Sequence, residues 1–142
     1  RAAGAETIIL QQRINDIIHP VGVEENRFRP WSDLPTAQEL YEGFRDLYIR
    51  PAKAAGMKVY VGTLLPILGW RTYAPFREEL RVAFNRRLME DTEADGCIDF
   101  AAAVCDPADP RAFALGMDSG DHLHPGEEGY RRMAECVPKE LL

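Results

Sequence analysis

Residues 117 to 134 contain the side chains whose types and spacing best suit acid–base chemistry. Asp121 stands three residues before His124 in a turn-prone segment that runs directly into helical signals. A carboxylate at this spacing can fold back onto one imidazole nitrogen and leave the other nitrogen free to act as a base. The pattern therefore predicts a proton-transfer site at Asp121 and His124, close to the start of a helix.

A metal centre is the alternative use of the same segment. His122 and His124, together with Asp118 or Asp121, have the spacing of a chelate formed by an extended segment. A further ligand is hard to find elsewhere in the sequence, and the imidazole of His122 could equally be solvated. We therefore favour the imidazole of His124 as a base over a metal site.

A second group of polar residues follows the apolar run Thr7–Leu10, which we expect to be a strand buried on both faces of a parallel sheet. Ligands bind at the carboxyl ends of such strands in open α/β sheets. The side-chain amide of Asn15 could donate a hydrogen bond to a developing oxyanion there. The residues alone favour a simple Asx turn at Asn15 and Asp16.

The remaining pattern predicts strands alternating with helices, which indicates an α/β fold with a parallel sheet. A capping box at Thr36 and Glu39 opens a helix that Pro51 should interrupt and Gly56 should end. Further elements are expected as a strand from Lys58, a helix from Pro75, a short strand at 96–100 and a last helix at 126–137. On the Pro75 helix, Arg77, Glu78, Arg81 and Arg86 lie off the apolar face, and we expect the three arginines to be solvated rather than to form a binding site.

Composition excludes several classes of function. The chain has 142 residues with a net charge of −6, and its basic and acidic residues are interspersed, so neither nucleic acid nor anionic lipid is a favoured partner. A chain of this length can bury one core, so residues 1–142 are expected to belong to a single domain. No apolar run is long enough to cross a bilayer, which predicts a soluble protein. Cys97, Cys105 and Cys136 are expected to be free buried thiols, which favours the cytoplasm over secretion without deciding between them.

The string D-x-L-H-P-x-x-x-G-Y-x-x-M-A, from Asp121 to Ala134, resembles the last conserved block of the SGNH (GDSL-type) ester hydrolases. Ile14-Asn15-Asp16-Ile17 after an apolar strand is similar to the family's G-x-N-D block, and T-L-L-P, C-I-D-F and D-P-A-D-P follow in the family's order. The resemblance implies a three-layer, flavodoxin-like α/β fold. It also implies that Asp121 and His124 belong to a Ser-His-Asp triad that cleaves an ester, that Asn15 is an oxyanion-hole donor, and that no cofactor is needed.

Two features depart from the family pattern. The family's glycine before the Asn falls at Arg13, and the G-D-S block that carries the nucleophile is missing. Ser32 lies in a proline-rich loop, and Ser119 is too near Asp121 to reach the free nitrogen of His124. The chain therefore resembles the C-terminal portion of such a domain, with three strands and flanking helices, and with the nucleophilic serine outside the chain.

Further expectations follow from the resemblance. The missing strand would normally lie beside Thr7–Leu10, so this edge is expected to bind another copy or the missing N-terminal portion. Trp31, Trp70 and Tyr73 could bind the substrate, a small-molecule ester of undefined identity. The competing hypothesis is an inactive α/β module used for binding, suggested by Arg13 and the missing serine.

Overall fold

The computed structural model describes residues 4–19 and 34–141, and its centre is a parallel sheet. The strands are β1 (Thr7–Leu10), β2 (Lys58–Gly62) and β3 (Gly96–Ile98), in the spatial order β1-β2-β3. Thr7 pairs with Lys58 and Leu10 with Val61, while Tyr60 pairs with Gly96. The predicted parallel α/β fold is confirmed.

Helices flank the sheet and a small hairpin follows it. The helices are α1 (Ile14–Ile18), α2 (Ala37–Phe44), α3 (Arg50–Ala54), α4 (Pro75–Met89), α5 (Phe100–Val104) and α6 (Glu127–Glu135). A π-helical turn, Arg45–Ile49, joins α2 to α3, a hairpin of β4 (Cys105–Asp106) and β5 (Asp109–Phe113) follows α5, and a 3-10 turn, Lys139–Leu141, follows α6. None of the helices within 4–19 and 34–141 is long and apolar enough to cross a membrane.

The two faces of the sheet pack against different helices. Val59 and Val61 of β2 point to a core formed with α2 and α4, whose buried members include Leu40, Phe44, Phe84 and Leu88. Tyr60, between them in sequence, contacts the second core, formed by Ile98, Phe100, Val104, Phe113 and Met133. This alternation places helices on both sides of the sheet and gives a three-layer structure.

The helical segment after the capping box contains the expected interruption. Thr36 accepts the backbone N–H of Glu39, and the Glu39 carboxylate accepts the backbone N–H of Thr36. The π-helical turn directly precedes the short helix that begins with Arg50 and Pro51, because proline has no amide donor for the regular ladder. Gly56, at φ 75°, follows the end of this helical segment.

The expectation that β1 is buried on both faces is wrong. Leu10 is buried, but 38% of Ile9 is exposed. Ile9 lies level with Tyr60 on the face of the sheet that α5 and α6 cover, and those helices pack on β2 and β3 rather than on β1. Within the described ranges, β1 also has no strand on its outer edge.

The expectation of a solvated face is wrong for two of the three arginines that it named, Arg77 and Arg81, and the neighbouring Glu78 is buried with them. Arg77, Glu78 and Arg81 are buried, at 0%, 7% and 4% exposure. Arg81 binds the carboxylate of Glu78 and donates to the carbonyl of Leu64, so its charge and its donors are satisfied inside the protein. Arg77 donates to backbone carbonyls of α1.

The three cysteines are free, as expected, but they are not buried. Cys97 and Cys136 are exposed and Cys105 is partly exposed. Cys97 is exposed because β3 is an edge strand of the described sheet.

Candidate functional site

The loop that carries His124 is closed at its base by backbone contacts. The N–H of Ser119 donates to the carbonyl of His124 at 2.8 Å, and the N–H of Gly126 donates to the carbonyl of Met117 at 2.8 Å. A bridge between Asp118 and Pro125 lies between these two bonds. The loop therefore folds back on itself like a short hairpin directly before α6.

Two glycines allow α6 to approach this loop closely. A Cβ atom on Gly129 would collide with the carbonyl oxygen of Met117, and one on Gly126 would lie 2.7 Å from the carbonyl oxygen of Asp118. Only glycine accepts such contacts without moving the backbone. The glycine of the G-Y pair in the sequence motif therefore has a packing function, which is to seat α6 on the loop.

Asp121 holds both the backbone and the ring of His124. Its Oδ2 lies 2.6 Å from Nδ1 of His124, and its Oδ1 accepts the backbone N–H groups of Leu123 and His124, both at 2.9 Å. Partial burial would by itself raise the pKa of Asp121, but the hydrogen bonds from His124, Leu123 and Ser119 outweigh it and hold this pKa well below its usual range. The predicted contact is confirmed: one ring nitrogen of His124 is bound by a carboxylate, and within the described residues the other, Nε2, has no hydrogen-bond partner.

Ser119 is placed on the wrong side of this pair to act as its nucleophile. Its side chain acts on the Asp121 carboxylate, where it helps to lower the pKa of that group. That carboxylate binds Nδ1 of His124, whereas a nucleophile must reach Nε2.

His122 forms a separate pair with Asp118. Its Nδ1 lies 3.2 Å from Oδ2 of Asp118, which also accepts the backbone N–H of His122 at 2.9 Å. The two imidazoles thus bind different carboxylates instead of converging. Over residues 4–19 and 34–141, no three His, Cys, Asp or Glu side chains are arranged to hold a metal ion, so the geometry gives no support to the metal alternative.

An apolar cleft of about 170 Å³ lies beside His124. Its lining comprises Gln11, Ile14, Leu64, Leu65, Leu123, His124, Pro125, Tyr130 and Met133. Gln11 follows β1, and Leu64 and Leu65 follow β2, so the cleft opens at the carboxyl ends of these two strands. This is the edge at which open α/β sheets bind ligands.

Of the aromatic residues predicted to bind substrate, the structure brings Trp70 to the site. Its ring meets the imidazole of His124 edge-on, with centroids 6.3 Å apart. Tyr73 packs with Trp70 against the cluster that contains Ile18 and Leu123. Trp31 lies outside the described residues.

Asn15 is exposed on α1, close to the same cleft. The preceding residue, Ile14, lines the cleft together with His124, and Ile18 of α1 packs against Leu123. The contact between α1 and the His124 loop therefore holds the two predicted functional segments side by side. Asn15 lies within a helix and not in the simple turn that the residues alone favoured.

Arg13 occupies a backbone conformation that suits the glycine found there in the family pattern. Its φ of 91° lies in the left-handed region, where a side chain costs energy that glycine avoids. The guanidinium lies 5.4 Å from the centre of the Tyr48 ring and 3.3 Å from a carboxylate oxygen of Asp16. The Arg13 side chain is therefore directed toward Tyr48 and Asp16.

Sequence reasoning missed Gln11 and Tyr130 as cleft residues. Gln11 immediately follows β1, and its Nε2 donates to the carbonyl of Thr63 at 2.7 Å, which fixes it at the cleft. Its position at a strand's carboxyl end was the available signal. Tyr130 stands inside the recognised motif, and 58% of it is exposed.

Comparison with known proteins supports the fold. No protein-family model matches the chain, and no curated protein sequence is similar to it at a significant level. Its structure is similar to that of a protein described as an acylhydrolase from Bacteroides fragilis NCTC 9343, with a TM-score of 0.69 and 19% identity over 96% of this chain and 61% of that one.

Two further solved structures show the same likeness. For a GDSL-like lipase from Bacteroides thetaiotaomicron VPI-5482 the TM-score is 0.63, with 17% identity over 96% of this chain and 62% of that one. For a lipolytic protein of the G-D-S-L family from Desulfitobacterium hafniense DCB-2 the TM-score is 0.67, with 16% identity over 99% of this chain and 67% of that one. The chain therefore has the fold of GDSL-type hydrolases, and it spans about three fifths of the length of the first two.

Proposed function

We propose that this chain is the portion of an SGNH (GDSL-type) ester hydrolase that supplies the base and one oxyanion donor of a serine-type site. The observation that carries the proposal is the hydrogen bond of 2.6 Å between Asp121 and Nδ1 of His124, beside an apolar cleft at the carboxyl ends of two parallel strands. An imidazole held in this way has its second nitrogen available for a hydroxyl group.

The proposed reaction is acyl transfer in two steps. A serine outside this chain attacks the ester carbonyl and gives its proton to Nε2 of His124, which returns it to the departing alcohol as the carbon–oxygen bond breaks. A water molecule then repeats the sequence on the acyl-enzyme and releases the carboxylic acid. Asp121 fixes the tautomer of His124 and stabilises the imidazolium, and Asn15 donates to the oxyanion.

We propose that the nucleophile is supplied by a strand that pairs with the open edge of β1. This edge has no partner strand among the described residues, and the aligned acylhydrolase and lipase structures are longer than this chain. A strand added there would end beside Gln11, which lines the cleft together with His124. Residues 1–142 would then be the C-terminal portion of a single domain, completed by a missing N-terminal portion or paired with another copy.

The proposed substrate is a small-molecule ester whose acyl group contacts the cleft. Leu64, Leu65 and Met133 provide apolar walls, and Trp70 lies edge-on to His124 at the same site. The proposed chemistry needs no metal or organic cofactor, because the charge that develops on the ester oxygen is met by hydrogen-bond donors.

The test uses the full-length protein and a short p-nitrophenyl ester. We expect turnover that His124→Ala abolishes, while His122→Asn retains it. His122 is a matched control, because it lies in the same loop, pairs with a different carboxylate, and has a φ of 62° that asparagine tolerates. If the full-length protein carries no serine at the end of a preceding strand and does not cleave the ester, the binding-module hypothesis replaces this one.

A further inference from the structure

The most unusual buried group of the molecule is a guanidinium that binds the end of a very short helix. Arg77, on α4, is fully buried. Its Nη1 donates to the carbonyl oxygen of Ile17 at 3.1 Å and also to that of Ile18. The hydroxyl of Thr72 donates to the same Ile18 carbonyl at 2.8 Å. The last carbonyls of α1 are thus bound by two side chains that lie more than fifty positions along the chain.

Helix α1 needs such support. It has five residues, which is too short for a helix to be stable by itself. Its N-cap is Arg13, in the left-handed region and without a side-chain capping bond. The burial of Ile17 and Ile18, together with the bonds from Arg77 and Thr72, therefore anchors α1 at its C-terminal end.

Burying a cation at this position costs desolvation free energy. Apolar residues of similar volume usually pack at lower cost, and breaking the contacts of a buried charge is strongly destabilising. What the guanidinium provides, and an apolar side chain cannot, is directed hydrogen bonding, since its Nη1 donates to two carbonyl oxygens of α1 at once. A cation near the last carbonyls of a helix also interacts favourably with the helix dipole.

We infer that Arg77, supported by Thr72, is a positioning residue that fixes α1 and thereby aims the side-chain amide of Asn15. Asn15 lies in the same short helix, and its backbone carbonyl accepts the N–H of His19 at 3.2 Å. The orientation of Asn15 therefore depends on that of the Ile17 and Ile18 carbonyls, which Arg77 binds. This inference rests on the proposed function, in which Asn15 meets the oxyanion. Arg77 does not contact the substrate in this arrangement and acts only through α1.

The first measurement is steady-state ester hydrolysis by the full-length protein. Misplacing a functional group by about 1 Å can lower the rate by about 100-fold. We expect Arg77→Met to lower kcat by about 10- to 100-fold with KM nearly unchanged, and Arg77→Lys to recover part of the loss. Thr72→Val removes one bond of the same set and serves if Arg77→Met does not fold; a smaller loss of kcat is expected from it.

Leu88→Ala is the control for a loss of stability alone. Leu88 is buried near the C-terminal end of α4, in the core with α2 and β2, and it forms none of the hydrogen bonds to the carbonyls of α1. We expect this variant to lower Tm without lowering kcat at temperatures where it is folded. An equal loss of kcat in Leu88→Ala and the Arg77 or Thr72 variants would overturn the positioning role.

A double-mutant cycle with Asn15→Ala separates positioning from a general effect. If Arg77 acts through Asn15, the Arg77 substitution should have little further effect on kcat once the amide is gone, although its effect on Tm should persist. Additive losses of kcat would overturn the inference. An unchanged kcat in Asn15→Ala alone would overturn both the oxyanion role of Asn15 and the inference that depends on it.

Amide hydrogen exchange gives a readout that does not depend on turnover. In the full-length protein we expect Arg77→Met or Thr72→Val to speed exchange at the amide of His19, which closes α1, more than Leu88→Ala does. Equal exchange in these variants would show that α1 is not held by this contact. Faster exchange without any ester hydrolysis in the parent protein would leave the contact standing and refute the proposed function instead.

Discussion

Asp121 is hydrogen-bonded to His124 twice, once through the backbone N–H at 2.9 Å and once through the ring at 2.6 Å. The ring is therefore oriented by the same group that fixes the turn beneath it. In the variant Asp121→Asn, the amide can support the turn but can no longer hold the imidazole in the tautomer that accepts a proton at Nε2.

We accordingly expect Asp121→Asn in the full-length protein to lower kcat by at least about 100-fold while the fold persists. Asp118→Asn is the matched control, because that carboxylate makes the equivalent contacts with His122. Ester hydrolysis and circular dichroism of both variants provide the measurement. Equal activity of the two variants would contradict the assigned roles.

The lowered pKa of Asp121 predicts how stability depends on pH. Because the carboxyl binds its proton less readily in the folded protein than in the unfolded chain, the stabilisation is present above the unfolded pKa of about 3.9. It is lost as the pH falls through the lower, folded pKa. In urea unfolding, the stability difference between the protein and Asp121→Asn should therefore shrink as the pH is lowered below about 4. A difference that stays constant down to acid pH would contradict this prediction.

Gly129 is a helix position at which we expect alanine to destabilise the protein. Alanine normally stabilises a helix relative to glycine by about 1 kcal/mol, but here its methyl group would meet the carbonyl of Met117. We expect Gly129→Ala to lower the free energy of unfolding by about 1 to 3 kcal/mol.

The control for this variant is Gly43→Ala. Gly43 is also helical, in α2, but a Cβ there meets only the flexible end of Arg13, at 3.3 Å. A neutral or stabilising effect is expected, because the guanidinium can shift. Both values come from chemical denaturation of the full-length protein, and equal effects would show that the approach of α6 to the loop is not tight.

The edge of β1 predicts self-association of the 142-residue chain when it is produced alone. The strand offers unpaired backbone groups beside the exposed side chain of Ile9. Ile9→Lys should reduce the association, whereas Leu47→Lys, at a position that is 65% exposed on the connection between α2 and α3, should leave it unchanged. Light scattering over a range of concentrations measures the association of the chain and of both variants. A stable monomer of the unsubstituted chain would refute the proposed role of this edge.

Local sequence patterns predicted the parts of the site that are themselves local. Asp121 and His124 are three residues apart and their contact needs only one turn, while the capping box at Thr36 spans a similar distance. Strands of the sheet were recognisable because buried parallel strands are continuous apolar runs, as in β2. The exposure of Ile9 could not be predicted from the sequence, because it depends on which helices cover which strand.

The buried charges of α4 could not be read from periodicity. Arg77 and Arg81 fall at positions that a helical pattern assigns to solvent, yet they bind carbonyl oxygens of Ile18 and Leu64, 59 and 17 positions away. Nothing in the neighbouring residues indicates those acceptors. The approach of Trp70 to His124 is unpredictable for the same reason, since it depends on how two distant loops meet.

The seating of α6 on the carbonyls of residues 117 and 118 has a mechanical consequence. Since α6 packs on the Met117 carbonyl that also accepts the hydrogen bond closing the loop, we expect α6 and the loop that carries His124 to move together. Any contact that tilts α6 would therefore also displace the imidazole of His124.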